Sequence, residues 1–395
     1  MPPTTSASPA LARVINDRLT LDAIAGHGPI SRAELRAATG LSQPSMLDVV
    51  SRLLEAGLIE AAGESGIKRR GPNAQLYDIS RRQAAVAVRV DGDHLHAVVT
   101  DLRGIRLGEA QRPVDESEPA DQVASAVHAA TRAAEAGGAN GDGEPRGVEL
   151  GAAVVGIHGP VDPHDGDLGF AWDLPHWQHR VVERLRLLLP CRVRLEHDIM
   201  LAAISEQAHG AARGREDFAV LWMGTGLGCA IFLDGRPLRG ASGGAGEIGY
   251  MPTPGARVTP LPSEPGPRAG FQGGLQSLIG AAALQDLAEA HGADRDLTSL
   301  SHPDTALLGA AAERIAVGLA SLCTLTDPGH IVLAGPIGQV GGPALAAAVE
   351  NALRPLSPTP TTVAPSALPD DGIIAGAVSS AVDDARDALW GSLSP

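Results

Sequence analysis

An apolar run, FAVLWM at residues 218–223, stops at Gly224-Thr225-Gly226-Leu227-Gly228 and resumes as CAIFL at 229–233. Two apolar segments of strand length on either side of a glycine-rich break read as paired strands joined by a tight turn. Backbone amides at such a turn can approach an anion or a sugar, because no Cβ stands in the way. A second glycine cluster, Gly243-Gly244-Ala245-Gly246, runs straight into Glu247 and then Gly249-Tyr250. That arrangement presents a carboxylate on a tight loop at a cleft. Reading the first turn as a dinucleotide site is disfavoured, because a strand follows it and not the helix whose dipole such a site uses.

The 395 residues allow two or three domains, and 44% apolar with 19% charged residues provide for a large core. A net charge of −15 argues against a protein that coats nucleic acid over its whole surface, but leaves room for a small DNA-binding module on an acidic body. Cys191, Cys229 and Cys323 stand far apart in apolar sequence and read as buried small side chains in a reducing compartment. The first residues carry no charged-then-apolar leader, and no apolar run is expected to reach the roughly 18 residues of a membrane helix. A cytoplasmic location, without membrane contact, is the expectation.

Residues 1–10 are a Pro-, Ser- and Thr-rich stretch expected to be a disordered tail. Apolar residues at helical spacing then run over 11–25 and stop at Gly26 and Gly28-Pro29. Ser31-Arg32-Ala33-Glu34 is a capping-box pattern opening a short second helix, which ends at Thr39-Gly40. A third helix is predicted over residues 43–55, with Leu47, Val50, Leu53 and Leu54 inward and Ser42, Gln43, Ser45, Asp48 and Arg52 outward. Helix, short glycine-containing turn and helix is the form of a helix-turn-helix. Two strand-like runs follow, at 57–60 and 75–79, joined by a loop carrying consecutive Lys68, Arg69 and Arg70, which makes the module a winged helix-turn-helix.

A protein-docking hairpin is the alternative for this module, and the placed positive charge of the wing speaks against it. The wing would touch phosphates, while Ser42, Gln43, Ser45 and Arg52 would face base edges, with Gln43 suited to adenine. Beyond residue 84 the pattern changes to a three-stranded meander (85–90, 95–102, 105–111), a helix (120–136), a strand (148–155), and a strand ending in Glu196-His197-Asp198. Helices at 275–290 and 306–326, a strand at 330–334 and a closing helix complete the chain.

These residues resemble the ROK family, which holds sugar kinases and sugar-responsive repressors on one actin-like, hexokinase-like fold. The resemblance extends from residue 11 onward. It implies an α/β chain: a winged helix-turn-helix at 11–80, a first lobe at 81–198 completed by 372–395, and a second lobe at 199–371. Gly156-Ile157-His158-Gly159-Pro160-Val161-Asp162 is similar to the family's Gly-x-Pro-Gly-Pro-Val-Asp, and Trp172-Asp173-Leu174-Pro175-His176-Trp177 to its Asn-Leu-x-x-Trp element. Glu196-His197-Asp198 matches Glu-Asn-Asp, whose aspartate is the kinase base. The ligand set implied in this way is His158, Gly159, Asp173, His197, Asp198, Glu247, Tyr250 and Gln276, with His176 a further candidate.

Departures from the family pattern carry as much meaning. Family kinases have Glu-x-Gly-His and Cys-x-Cys-Gly-x-x-Gly-Cys-x-Glu; this chain has Glu247-Ile248-Gly249-Tyr250 and PRAGFQGGLQ at 267–276. Pro267, Ala269 and Gly274 stand where the cysteines would be, Tyr250 replaces the histidine, and Gln276 replaces the glutamate. Zinc needs thiolate or imidazole donors, so no metal is expected, and no cofactor. The first phosphate loop, Asp-x-Gly-Gly-Thr in the kinases, is here Asp91-Gly92-Asp93-His94. The expected function is therefore a transcriptional regulator, a repressor in the first instance, and not an enzyme. Its partners would be a double-stranded DNA operator, a sugar or related metabolite as effector, and further copies of itself as a homodimer or homotetramer. The alternative is a ROK sugar kinase with an appended DNA-binding domain.

Overall fold

The computed structural model describes residues 9–64, 74–137, 147–169, 177, 180–256, 273–302, 306–368 and 372–392. The N-terminal head consists of α1 (Pro9–His27), β1 (Ile30–Ser31), α2 (Arg32–Thr39), α3 (Gln43–Glu55), β2 (Ile59–Glu64) and β3 (Gln75–Ile79). Its three strands pair in the order β1-β3-β2. The capping box at Ser31 forms as read: the Glu34 amide donates to Ser31 Oγ at 3.3 Å, and the Ser31 amide donates to Glu34 Oε2 at 2.9 Å. Gly40 closes α2 in the left-handed region, at φ +71°, where a side chain would be strained.

One reading of the head is corrected and one strand is added. The inward face of α3 is Met46, Val49, Val50 and Leu53, while Leu47 and Leu54 are 44% and 38% exposed. Both stripes satisfy helical spacing, and packing against α1 selects the one carrying Met46. The strand β1 went unanticipated because two residues have no period of their own; it exists through pairing with β3, Ile30 opposite Tyr77.

The body holds two five-stranded sheets with the same plan. The first is built from β4 (Gln83–Val90), β5 (His94–Asp101), β6 (Arg106–Pro113), β7 (Glu149–Ile157) and β8 (Arg192–His197), in the order β6-β5-β4-β7-β8. Helices α4 (Pro119–Gly137) and α5 (Val181–Leu188) pack on it. Next, α6 (Asp198–His209) leads into the second sheet, with β9 (Phe218–Met223), β10 (Leu227–Leu233), β11 (Arg236–Pro237), β12 (His330–Ala334) and β13 (Thr362–Pro365) in the order β11-β10-β9-β12-β13. In each sheet an antiparallel meander is extended by two parallel strands. Parallel strands covered on both faces read as near-continuous apolar runs. The segment His330–Ala334 is accordingly buried throughout.

Around the second sheet run α7 (Gln276–Ile279), α8 (Ala281–Ala290), α9 (Ala306–Thr326) and α10 (Gly335–Leu353). The single helix expected at 275–290 is broken at Gly280, where a Cβ would lie 2.3 Å from Gln276 Nε2. Against expectation, α9 is long and apolar enough to cross a membrane by length and composition. Its buried face, including Leu307, Ala311, Ile315 and Leu319, lies in the second-lobe core.

The last helix, α11 (Gly372–Ser392), packs on β4, β7 and α6. Backbones touch where it crosses α6: a Cβ on Gly376 would be 1.9 Å from the Leu201 carbonyl oxygen. Helix α6 faces both lobes, with Leu201 and Ala202 toward α11 and the first sheet, and Ile199, Met200 and Ala203 toward β9, β10 and β12. Only Ser80, Arg81 and Arg82 separate the head from β4, and one apolar cluster runs from Leu21 and Ile24 of α1 through Ala85 of β4 to Ala381 and Trp390 of α11. The head is thus packed onto the first lobe.

Candidate functional site

The cleft-facing groups come from the ends of β7 and β8 and from the loop that follows β11. Because Ile157 and His197 are register partners, the residues after them emerge side by side. His158 Nδ1 lies 3.2 Å from Asp198 Oδ2, and His197 Nε2 lies 3.4 Å from Asp198 Oδ1. The Ile199 amide donates to Asp198 Oδ1 at 2.7 Å, as the first turn of α6 begins. Gly159 follows at φ +108° and turns the chain away.

Glu247 enters this group from the second lobe because its loop can press flat against two neighbours. At Gly246, φ +92°, a Cβ would be 1.8 Å from the Cys229 carbonyl oxygen; at Gly243, φ +78°, it would be 2.0 Å from that of Val161. No residue with a side chain fits either place. The turn at Gly224–Gly228 closes the same space: a Cβ on Gly226 would sit 3.6 Å from His158 Nε2.

Burial and charge sort Glu247, Asp198 and His197. Desolvation pushes the Glu247 carboxyl up to about 7, with the negative charge of Asp198 adding to the effect and His158 opposing it. Burial would also raise Asp198, but the charge and hydrogen bond of His158, with His197 and the Ile199 amide, hold it below the usual carboxylate range. For His197, burial lowers the pKa and outweighs Asp198, so the ring is neutral. The site at neutral pH therefore offers an ionised acceptor, a neutral imidazole and a carboxyl near its midpoint.

Other residues read as ligand groups sit differently. The Gln276 side chain is a clamp on the glycine turn, since Oε1 accepts from the Leu227 amide and Nε2 donates to the Thr225 carbonyl, both at 2.9 Å. Tyr250 lies on a short 3₁₀ turn, Ile248–Tyr250, against Gly274, where a Cβ would come within 2.8 Å of the Tyr250 carbonyl carbon. Trp177 is buried in the first-lobe core, while Asp173 and His176 lie outside the described residues. The residues at the family's zinc positions do not fit that ion, for Tyr250 and Gly274 supply no thiolate or imidazole. Backbone contacts, including Leu275 N to Met251 O at 3.0 Å, join these segments here.

Glu196 was passed over as a site residue. It is 1% exposed and is gripped by Arg239 through two parallel bonds of 2.8 and 2.7 Å and by Arg194 at 2.6 Å. The available signal was the alternation of β8, which puts Glu196 on the same face as Arg194, two residues before it.

On the head, Ser42 caps α3 by accepting from the Ser45 amide at 3.3 Å, and Gln43 and Asp48 stand exposed on the outer face, with Ser45 half-buried. Leu47 is exposed one turn from Gln43. Arg52 is not free to read bases: it donates to Asp17 of α1 at 2.5 and 3.3 Å and pairs with Asp48. Lys68, Arg69 and Arg70 lie outside the described residues, between β2 and β3.

Residues 85–383 match the ROK family profile, and residues 16–70 match that of the MarR family. The chain belongs to the ROK family. Among curated relatives of this ROK protein, the N-acetylglucosamine repressor of Shigella flexneri is 26% identical over 245 residues, covering 61% of this chain and 58% of its own. The xylose repressor of Bacillus subtilis (strain 168) is 23% identical over 256 residues, 62% of each chain. This chain thus spans about three fifths of the length of these two relatives. The crystal structure of a ROK family transcriptional regulator, a homolog of the E. coli MLC protein, superimposes with a TM-score of 0.69 over 97% of this chain and 98% of that one. At 18% identity that likeness concerns the fold.

Proposed function

We propose that this protein is a sugar-responsive, DNA-binding repressor of the cytoplasm, organised as a DNA-binding head at 11–80, a first lobe at 81–198 with 372–395, and a second lobe at 199–371. The observation that carries the reading is the joining of a MarR-type head to a ROK body in one chain. The two relatives are repressors named for sugars. Bases would be read by Gln43, Ser42 and Ser45, with Leu47 placed for a thymine methyl, and phosphates would be held by Lys68, Arg69 and Arg70. As a dimer or tetramer the protein would set two heads about 34 Å apart, or a multiple of it, on one face of DNA.

The effector would lie among His158, Gly159, His197, Asp198 and Glu247, whose mix of acceptors and donors suits the hydroxyls of a sugar. Phosphoryl transfer is disfavoured on two grounds. Asp198 is already engaged by His158 and His197. The amides of the first turn are also occupied, since His94 N and Asp93 N donate to Asp91 Oδ1 at 2.8 and 3.1 Å, where a phosphate would need them. Calorimetric titration with N-acetylglucosamine and xylose, repeated on Asp198→Asn and followed by assay for ATP-dependent phosphorylation, tests this. Sugar binding weakened in the variant, with no phosphorylated product, is expected; a phosphorylated sugar whose formation requires Asp198 would establish the kinase instead.

A further inference from the structure

A line of polar contacts leads from the cleft to the head. It begins at Arg239, on the second-lobe loop that ends in Glu247, whose Nη1 and Nη2 grip the two oxygens of Glu196 at 2.8 and 2.7 Å. Glu196 belongs to the first lobe and precedes His197 and Asp198 directly. The same carboxylate accepts from Arg194 Nη1 at 2.6 Å, and Arg194 Nε donates to Asp384 of α11 at 2.9 Å. Two residues further along α11, Arg386 Nε donates to the Leu102 carbonyl at 2.9 Å. The next residue, Arg103, pairs with Asp78 of β3 in the head at 2.9 Å.

We infer that Arg239 and Glu196 are positioning residues that form a latch between the lobes, through which the state of the cleft sets the placement of the DNA-binding head. The inference deepens the repressor reading and rests on it for its consequence at DNA. Three features carry it. The Arg239–Glu196 pair is bidentate, so it fixes the plane of the guanidinium as well as its distance and tolerates little rotation between lobes. Glu196 is 1% exposed, so separating the pair leaves a buried carboxylate with Arg194 as its one remaining cation and the latch resists partial opening. The loop closes on itself, the Ala245 amide donating to the Arg239 carbonyl at 3.1 Å, so a ligand that draws on Glu247, two residues on, pulls on Arg239 as well.

From the latch onward the parts are stiff. Asp384 and Arg386 share one helix, packed backbone to backbone on α6 at Gly376, and α6 itself starts at Asp198. The cleft therefore reaches α11 by two routes: the ion pairs and the α6 contact. Beyond α11, the Arg103–Asp78 bridge ends on the strand that pairs with both other strands of the head.

Hydrogen exchange of the full chain, read by mass spectrometry without ligand, supplies the measurement. The variants are Arg239→Gln, Asp384→Asn, which alters the part-exposed far end and leaves the buried pair intact, and Arg239→Lys as the conservative control. Both disruptive variants should speed exchange in β3 and α1 at least about fivefold, the low end of ordinary coupling, with β12 unchanged and Arg239→Lys nearer to wild type. Change confined to residues 236–247, or an equal rise in β12, would overturn the latch. In a second arm, affinity is measured for a DNA fragment selected from a random library by the wild-type protein, and a shift of similar factor is expected in both variants. Unchanged affinity would overturn the proposed link to DNA. Failure to select any fragment would sink the repressor reading, while the exchange arm would still decide the latch.

Discussion

Replacing Glu247 with glutamine removes a charge whose cost can be worked out from the site. Burial lifts this carboxyl from the ordinary 4.5 to about 7. Below pH 4.5 it is protonated in both folded and unfolded chains and contributes no difference. As pH rises from 4.5 to 7 the unfolded chain ionises first, so it binds fewer protons than the folded one and stability falls. Above 7 both are ionised and the loss is complete. A shift of this size corresponds to about 3 kcal/mol at 1.36 kcal/mol per pH unit. Glu247→Gln keeps the shape and hydrogen-bonding reach of the neutral acid and should show no such loss. Urea unfolding of wild type and variant at pH 5 and pH 8 measures it, other titrating groups cancelling in the difference. The variant should exceed wild type by about 1 kcal/mol at pH 5 and by about 3 kcal/mol at pH 8. Parallel pH curves, or a variant weaker at pH 8, would refute the claim that burial raises the Glu247 carboxyl.

Arg52→Ala should destabilise the head by about 1.5–3 kcal/mol by stranding Asp17, visible as faster exchange in α1 and α3. Lost DNA affinity at undiminished head stability would return Arg52 to the reading face. Gln276→Ala leaves the Leu227 amide and Thr225 carbonyl without their clamp, costing about 1–3 kcal/mol in second-lobe stability by urea denaturation; a neutral result would mean that the glycine turn holds itself. Gly246→Ala forces a Cβ to within 1.8 Å of the Cys229 oxygen, so sugar binding measured by calorimetry should be lost. Sugar affinity within twofold of wild type would show that the loop is not needed to present Glu247.

What could be read in the sequence was what neighbours in the chain decide. The Ser31–Glu34 box spans four residues, and the glycine turn at 224–228 lies between the two strands it joins, so both were legible. The family motifs placed His158, Asp198 and Glu247 at one cleft although they are distant in sequence. Contacts made by tertiary packing were not legible. Arg52 looked outward on its helix, yet its partner Asp17 lies 35 residues away. Arg239 meets Glu196 across 43 residues and two lobes, and nothing local to either marks the pairing. Gln276 kept the shape of the family's glutamate, but a neutral amide can both donate and accept, which is what the Thr225 carbonyl and the Leu227 amide require. The phase of α3 was ambiguous because Met46 and Leu47 each start an acceptable apolar stripe.

The most direct test of the account is selection of DNA from a random library by the purified full-length protein, followed by rebinding at several salt concentrations and in the presence of N-acetylglucosamine or xylose. The account predicts a motif of two half-sites whose centres are one helical turn or a multiple apart, released by a sugar. It also predicts that replacing Arg69 and Arg70 by alanine weakens binding on every sequence and reduces the salt slope by about 2. Binding without sequence preference, with a salt slope untouched by loss of the two arginines, would contradict it.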